Sequence, residues 1–284
     1  METLSTIAAI RARIAAARAA GRRVALVPTM GALHEGHLAL VDAARREADL
    51  VAMSIFVNPL QLRPGEDFTR DPRPLERDLA LAEARGVDVV FTPEVSEMYG
   101  SDDEVRIVPG DTAARWEGEF RPGHFEGVLT VVAKLFHIVS PDVACFGRKD
   151  LQQATLIRRR VDELDIPVRV VVVPTVRDRD GLALSSRNAF LSPDEREKAL
   201  AIPAALASVV TAWERGVREG DALAAVGRAL LDAAPGLVTD YIAVVDPERL
   251  RPAVSADAGC AVVVAARVGS TRLIDNMILG EEDA

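Results

Sequence analysis

Val24-Ala-Leu-Val27-Pro-Thr-Met-Gly-Ala-Leu-His34-Glu-Gly-His37-Leu38 is the stretch on which the reading of the fold turns. A short β-branched run, Val24–Val27, enters it, and an amphipathic run from Leu38 to Ala48 leaves it, so the pattern predicts a strand, a tight turn and a helix. If the helix begins at Glu35, the imidazoles of His34 and His37 share one face of its first turn. The start of a helix offers unpaired backbone N–H groups and the positive end of the dipole, and Gly31 and Gly36 allow a bulky anion close to the backbone. The stretch therefore predicts a site for nucleotide phosphate.

Three plainer readings compete. A zinc site would need a third protein ligand, and no further His or Cys lies nearby in sequence. Helix capping with an incidental surface His, or simple packing, would suffice for a single imidazole. The chain has only four histidines, and two of them cluster at one glycine-bearing turn, which favours nucleotide chemistry.

Outward from this turn, Val24–Val27, Leu50–Val57, Val87–Phe91, Val143–Phe146 and Val168–Val173 read as strands. Pro72–Arg85, Gly127–Val139 and Leu151–Leu164 carry helical spacing between them, and the first twenty residues read as an Ala/Arg amphipathic helix. Strands that are continuously apolar are buried on both faces, so the series predicts an α/β fold with a Rossmann-like parallel sheet. Such sheets bind ligands beyond the strand C-termini, where Thr29–His37, Asn58–Gln61 and Gly147–Gln153 fall. After Val173 a polar segment, Pro174–Arg187, leads to helices at Asp194–Val217 and Asp221–Ala233 and strands at Thr239–Val245 and Ala261–Val268. The expected division is a Rossmann-like domain over 1–176 and a smaller C-terminal α+β lid domain over 177–284.

The 284 residues give a formal charge of −9, which argues against nucleic acid as the main partner. Cys145 and Cys260 are isolated, as in a reducing compartment. Arg11, Arg13 and Arg18 interrupt any apolar leader, and no run reaches membrane-spanning length, so the expected location is cytoplasmic.

Further motifs follow in order: Phe56-Val-Asn-Pro-Leu-Gln61, Arg121-Pro-Gly-His-Phe125, Thr130-Val-Val, Phe146-Gly-Arg-Lys-Asp-Leu-Gln-Gln153, Leu184-Ser-Ser-Arg-Asn188 and Arg272-Leu-Ile-Asp-Asn276. With Pro28–His37 they resemble, in order and spacing, the pantothenate synthetase (pantoate:beta-alanine ligase) family of the HxGH nucleotidyltransferase-like superfamily. The resemblance implies ATP-dependent joining of pantoate to beta-alanine through a pantoyl adenylate, with release of AMP and pyrophosphate. It also implies Mg²⁺ carried mainly on the phosphates, and a homodimer.

By the same resemblance, ATP is bound by Met30, Gly31, Ala32, Leu33, His34, Glu35, Gly36 and His37, by Gly147, Arg148, Lys149 and Asp150, and by Val176, Leu184, Ser185, Ser186 and Arg187. His37, His34 and Lys149 are the expected catalytic groups. Gln61 and Gln153 are expected at pantoate, and Gln61 also at beta-alanine. His124 falls in a loop expected near the site, while His137 sits among apolar neighbours and reads as packing. Arg148, Leu151, Leu62 and Asp71 depart from the family pattern, Arg148 by reversing a charge beside Lys149. Two alternatives remain at this point. One is a nucleotidyltransferase or a divergent acid–amine ligase acting on another hydroxy acid; the other is a noncatalytic nucleotide-binding regulator.

Overall fold

The computed structural model describes residues 1–62 and 75–281, so Asp71 and the first residues of the helix expected from Pro72 lie outside the described residues. The chain forms two compact units: Met1–Gly147 with Leu156–Val173, and Arg148–Thr155 with Pro174–Ala284.

The first unit is built on six parallel strands, β1 (Glu2–Leu4), β2 (Val24–Thr29), β3 (Leu50–Ile55), β4 (Val89–Phe91), β5 (Val143–Gly147) and β6 (Arg169–Val173), in the order β1-β4-β3-β2-β5-β6. Its helices are α1 (Ile7–Ala19), α2 (Glu35–Glu47), α3 (Leu75–Ala84), α4 (Val95–Met98), α5 (Glu117–Phe120), α6 (His124–Val139) and the later part of α7 (Leu151–Glu163). Ala25, Val27, Val51 and Met53 of the central strands pack with Leu40, Val41 and Ala44 of α2, which is why these strands are apolar throughout. From β2 the chain moves to β3 and β4 on one side, then returns to β5 on the other side of β2. This reversal creates a switch point at the C-terminal ends of β2 and β5, where such sheets open a ligand crevice.

Two elements of this unit differ from expectation. The first twenty residues are not one helix: Glu2–Leu4 pairs with β4 as an edge strand before α1 begins. Three residues are too few for a periodic signal, and backbone pairing alone defines the strand. Helix α6 starts at His124 rather than Gly127, because Gly123 adopts a left-handed conformation (φ +84°) at its N-cap.

The second unit carries an antiparallel sheet of β7 (Leu237–Val245), β8 (Ala261–Val268) and β9 (Thr271–Ile278), with α8 (Pro193–Ala199), α9 (Ala201–Glu214) and α10 (Gly220–Asp232). The helix expected over Asp194–Val217 is two helices. Pro203 lies in the first turn of α9, where its missing N–H breaks no helical bond, so it marks a new start. Strand β9 escaped prediction because Arg272 and Asp275 interrupt its apolar pattern; Arg272 Nε donates to Asp240 Oδ2 at 2.6 Å and Arg177 Nη1 to Asp275 Oδ2 at 2.6 Å. Among the described residues no helix is long and apolar enough to cross a membrane.

Candidate functional site

At the end of β2 the chain turns sharply. Gly31 has φ +83° and Ala32 φ +52°, the latter a conformation that costs a residue with a Cβ on the order of 1 kcal/mol. Buried Asp78 of α3 offsets that cost: its Oδ2 accepts from Ala32 N–H at 2.7 Å and its Oδ1 from Leu33 N–H at 2.8 Å. A Cβ at position 31 would lie 2.9 Å from Asp78 Oδ2 and 3.2 Å from Ile55 Cγ2, so glycine is needed there for space as well as for φ. Thr29 Oγ1 donates to the Ser54 carbonyl at 2.8 Å and accepts from Gly31 N–H at 3.2 Å, fixing the approach.

The braced turn delivers two histidines to the start of α2. His34 is the N-cap, its Nδ1 accepting from Gly36 N–H at 3.1 Å, and His37 Nδ1 accepts from His34 N–H at 3.4 Å. With Nδ1 an acceptor in each ring, the proton of each neutral imidazole sits on Nε2. The ring centroids are 4.1 Å apart, so the two donors form one cluster at the positive end of the helix. Beyond β3, Gln61 closes a 3₁₀ turn, Pro59–Gln61, and its Nε2 lies 2.8 Å from Met30 Sδ. The first unit therefore brings Gln61 to Met30 and, on the same turn after β2, His34 to His37. His124 contacts the Gln61 carbonyl and Arg121, while His137 Nδ1 bonds the Ala133 carbonyl one turn back in its own helix.

In the second unit, Arg148–Asp150 is a 3₁₀ turn leading into α7. Asn276 Nδ2 donates to the carbonyls of Arg148 at 2.9 Å and Lys149 at 3.0 Å. Its neighbour Asp275 is buried, which raises its carboxyl above the ordinary range against the opposing pull of Arg177. The Arg148 guanidinium pairs with Glu281. The Lys149 ammonium, by contrast, takes no hydrogen bond or ion pair among the described residues. Gln153 is half-buried on α7, and Gln152 is buried. A hairpin joins Val176 to Leu184 through the bond from Leu184 N–H to the Val176 carbonyl at 2.9 Å, which sets Val176 beside the Ser185–Arg187 turn. Ser185 Oγ caps that turn by accepting from Arg187 N–H at 3.3 Å.

Known proteins share this fold. The family model described as pantoate-beta-alanine ligase matches residues 2–278. The chain belongs to the pantoate-beta-alanine ligase family. It is 49% identical to the pantothenate synthetase of Moorella thermoacetica over 286 residues, covering 100% of both chains. The crystal structure of pantothenate synthetase from Thermus thermophilus superposes with a TM-score of 0.92 at 49% identity, over 98% of this chain and 99% of that one. That of the pantoate-beta-alanine ligase from Francisella tularensis, complexed with beta-gamma ATP and beta-alanine, gives 0.81 at 32% identity over 100% of each.

Within this ligase family member, sequence reasoning missed the supports of the site. Asp78 stands in a helix that also carries Glu76 and Glu83, and nothing local marks it as buried. Asp275 and Asn276 fall in a motif that assigns them no role by itself, yet they hold Arg177 and the Arg148–Lys149 backbone.

Proposed function

We propose that the protein joins pantoate to beta-alanine in two steps with ATP. A pantoate carboxylate oxygen attacks the α-phosphorus, the bond to the β-phosphate bridging oxygen breaks, and pyrophosphate leaves. The amine of beta-alanine then attacks the acyl carbon of the adenylate, AMP departs, and the amine loses a proton as the amide forms. The chemistry requires alignment, charge stabilisation and exclusion of water rather than a protein nucleophile.

The observation that carries this reading is the paired Nε2 donors of His34 and His37 at the switch point, in a chain of this family. They suit the phosphate oxygens, with His37 as proton donor. Met30–His37, Gly147–Asp150, Val176 and Leu184–Arg187 serve the nucleotide. Lys149 and Arg187 supply charge for departing pyrophosphate, and Ser185 and Ser186 supply hydroxyls. Gln61 and Gln153 serve pantoate, and Gln61 beta-alanine. Magnesium enters in this reading on the triphosphate, as part of the substrate. A cytoplasmic location suits two unpaired thiols, and the Cys145 thiol is pushed up to about 11, chiefly by burial. The working form in this reading is a homodimer.

The test is pyrophosphate and AMP release from MgATP with pantoate, with and without beta-alanine. Pantoate-dependent turnover that yields an amide is expected. A stable nucleotidyl product without amide, or no release at all, would overturn the reading.

A further inference from the structure

The Gln61 amide has a fixed polarity that traces back to two backbone groups. Asn58 is 1% exposed. Leu60 N–H, which only donates, lies 3.3 Å from Asn58 Oδ1, and the Gly127 carbonyl, which only accepts, lies 3.0 Å from Asn58 Nδ2. The Asn58 amide can therefore face only one way. The Tyr99 hydroxyl donates to the same Oδ1 at 2.8 Å; burial pushes that hydroxyl up to about 12, so it keeps its proton at neutral pH. The second N–H of Asn58 meets the Gln61 amide at 3.0 Å, and the atom it meets must be the oxygen, Oε1. Nε2 is left at the other end, against Met30 Sδ, a weak acceptor.

The main chain of Gln61 is held as firmly. Arg121 only donates, so His124 Nε2, 3.0 Å from Arg121 Nη1, accepts, and the ring proton sits on Nδ1, which donates to the Gln61 carbonyl at 3.0 Å. A Cβ at Gly127 would come within 2.3 Å of the Leu60 carbonyl oxygen and 2.6 Å of Gln61 N, so only glycine lets α6 approach this turn.

We propose that Asn58, Tyr99 and His124 are positioning residues that present Gln61 to the acid substrate as a hydrogen-bond donor, so that the site selects an acceptor oxygen at Gln61 Nε2. This rests on the ligase reading. Gln61→Glu would keep the bond from Asn58 but set a carboxylate oxygen against the substrate oxygen. Asn58→Asp would turn the Gln61 amide over, with the same result.

The experiment measures pyrophosphate release against pantoate and against ATP for the wild type, Gln61→Glu, Asn58→Asp, Tyr99→Phe, Gln61→Ala, and Asn58→Asp or Tyr99→Phe combined with Gln61→Ala. Gln61→Glu and Asn58→Asp are expected to raise the pantoate KM about ten- to a hundredfold and leave the ATP KM within about twofold. Tyr99→Phe removes only a hydroxyl, and a rise of about threefold is expected; it stands in for Asn58→Asp if the latter does not fold. On the Gln61→Ala background either change should add less than about twofold, because the group it acts through is gone. A full additive loss on that background, or an unchanged pantoate KM in Gln61→Glu, overturns the relay. A wild type that releases no pyrophosphate with pantoate overturns the ligase reading itself, and the assigned substrate with it.

Discussion

The parallel-sheet unit fixes its polar tips, whereas the C-terminal unit fixes backbone and leaves a charged tip unheld. Asp78 accepts two backbone N–H groups, His34 and His37 cap one helix reciprocally, and the Gln61 amide is bonded at its oxygen. In the other unit Asn276 binds the carbonyls of Arg148 and Lys149, but no described residue bonds the Lys149 ammonium. Directional hydrogen bonds discriminate between substrates by geometry. An ammonium on a flexible stem can follow negative charge as it shifts, which in the proposed reaction would be from nucleotide to pyrophosphate.

The largest expected effect breaks both regions at once. His37→Ala and Lys149→Ala should each lower pyrophosphate release about a hundredfold or more, the scale of losing a positioned donor or charge. Conservative replacements then separate the regions. Lys149→Arg should recover about a tenth of wild-type rate because it restores the charge. His37→Asn should recover little, since it keeps an acceptor toward His34 N–H and loses the far donor. Equal rescue at the two positions, in steady-state assays of both variants, would erase the distinction.

A middle-sized effect is expected at Asp78. Asp78→Asn sets an amide N–H against the Ala32 or Leu33 N–H, leaving a buried donor unsatisfied at a cost of about 1–3 kcal/mol. The thermal midpoint should fall by several degrees. The ATP KM should rise about tenfold, because the turn under the histidines loosens, while the pantoate KM changes less. An unchanged midpoint and ATP KM would mean that Gly31 alone holds the turn.

Much of the parallel-sheet unit was legible because its strands are apolar on both faces and its turn carries Gly31 between a strand and an amphipathic helix. The illegible parts are those in which a distant residue decides the conformation. Edge strand β1 exists through pairing with β4. Strand β9 hides its period behind Arg272 and Asp275, whose charges are met by Asp240 and Arg177. The brace on Ala32 comes from Asp78, forty-six residues away. The motif residues proposed to meet ligands are concentrated in short runs, whereas their supports are scattered singly, so one sequence exposes the first group and conceals the second.

The smallest expected effect sharpens the comparison from inside the parallel-sheet unit. Arg160 is 5% exposed; its Nη1 donates to the Leu129 carbonyl at 2.6 Å and its guanidinium stacks 4.9 Å from the Phe136 ring. Its Nε and Nη2 find no partner among the described residues, and burial lowers its pKa to about 10. A cation whose folded pKa lies below its unfolded value is a burden wherever it stays protonated, so the full penalty applies at pH 7 and is relieved only as pH rises above about 10. Arg160→Met keeps the apolar stem and removes the unpartnered donors, so its thermal midpoint at pH 7 should stay level or rise by a few degrees. Arg160→Ala should lower the midpoint through the cavity it opens. Both should keep the pantoate and ATP KM within about twofold, unlike every change at Gln61 or Asp78. A loss of more than about 2 kcal/mol in Arg160→Met would show that the guanidinium does directional work after all, and would set it beside Asp78 rather than against it.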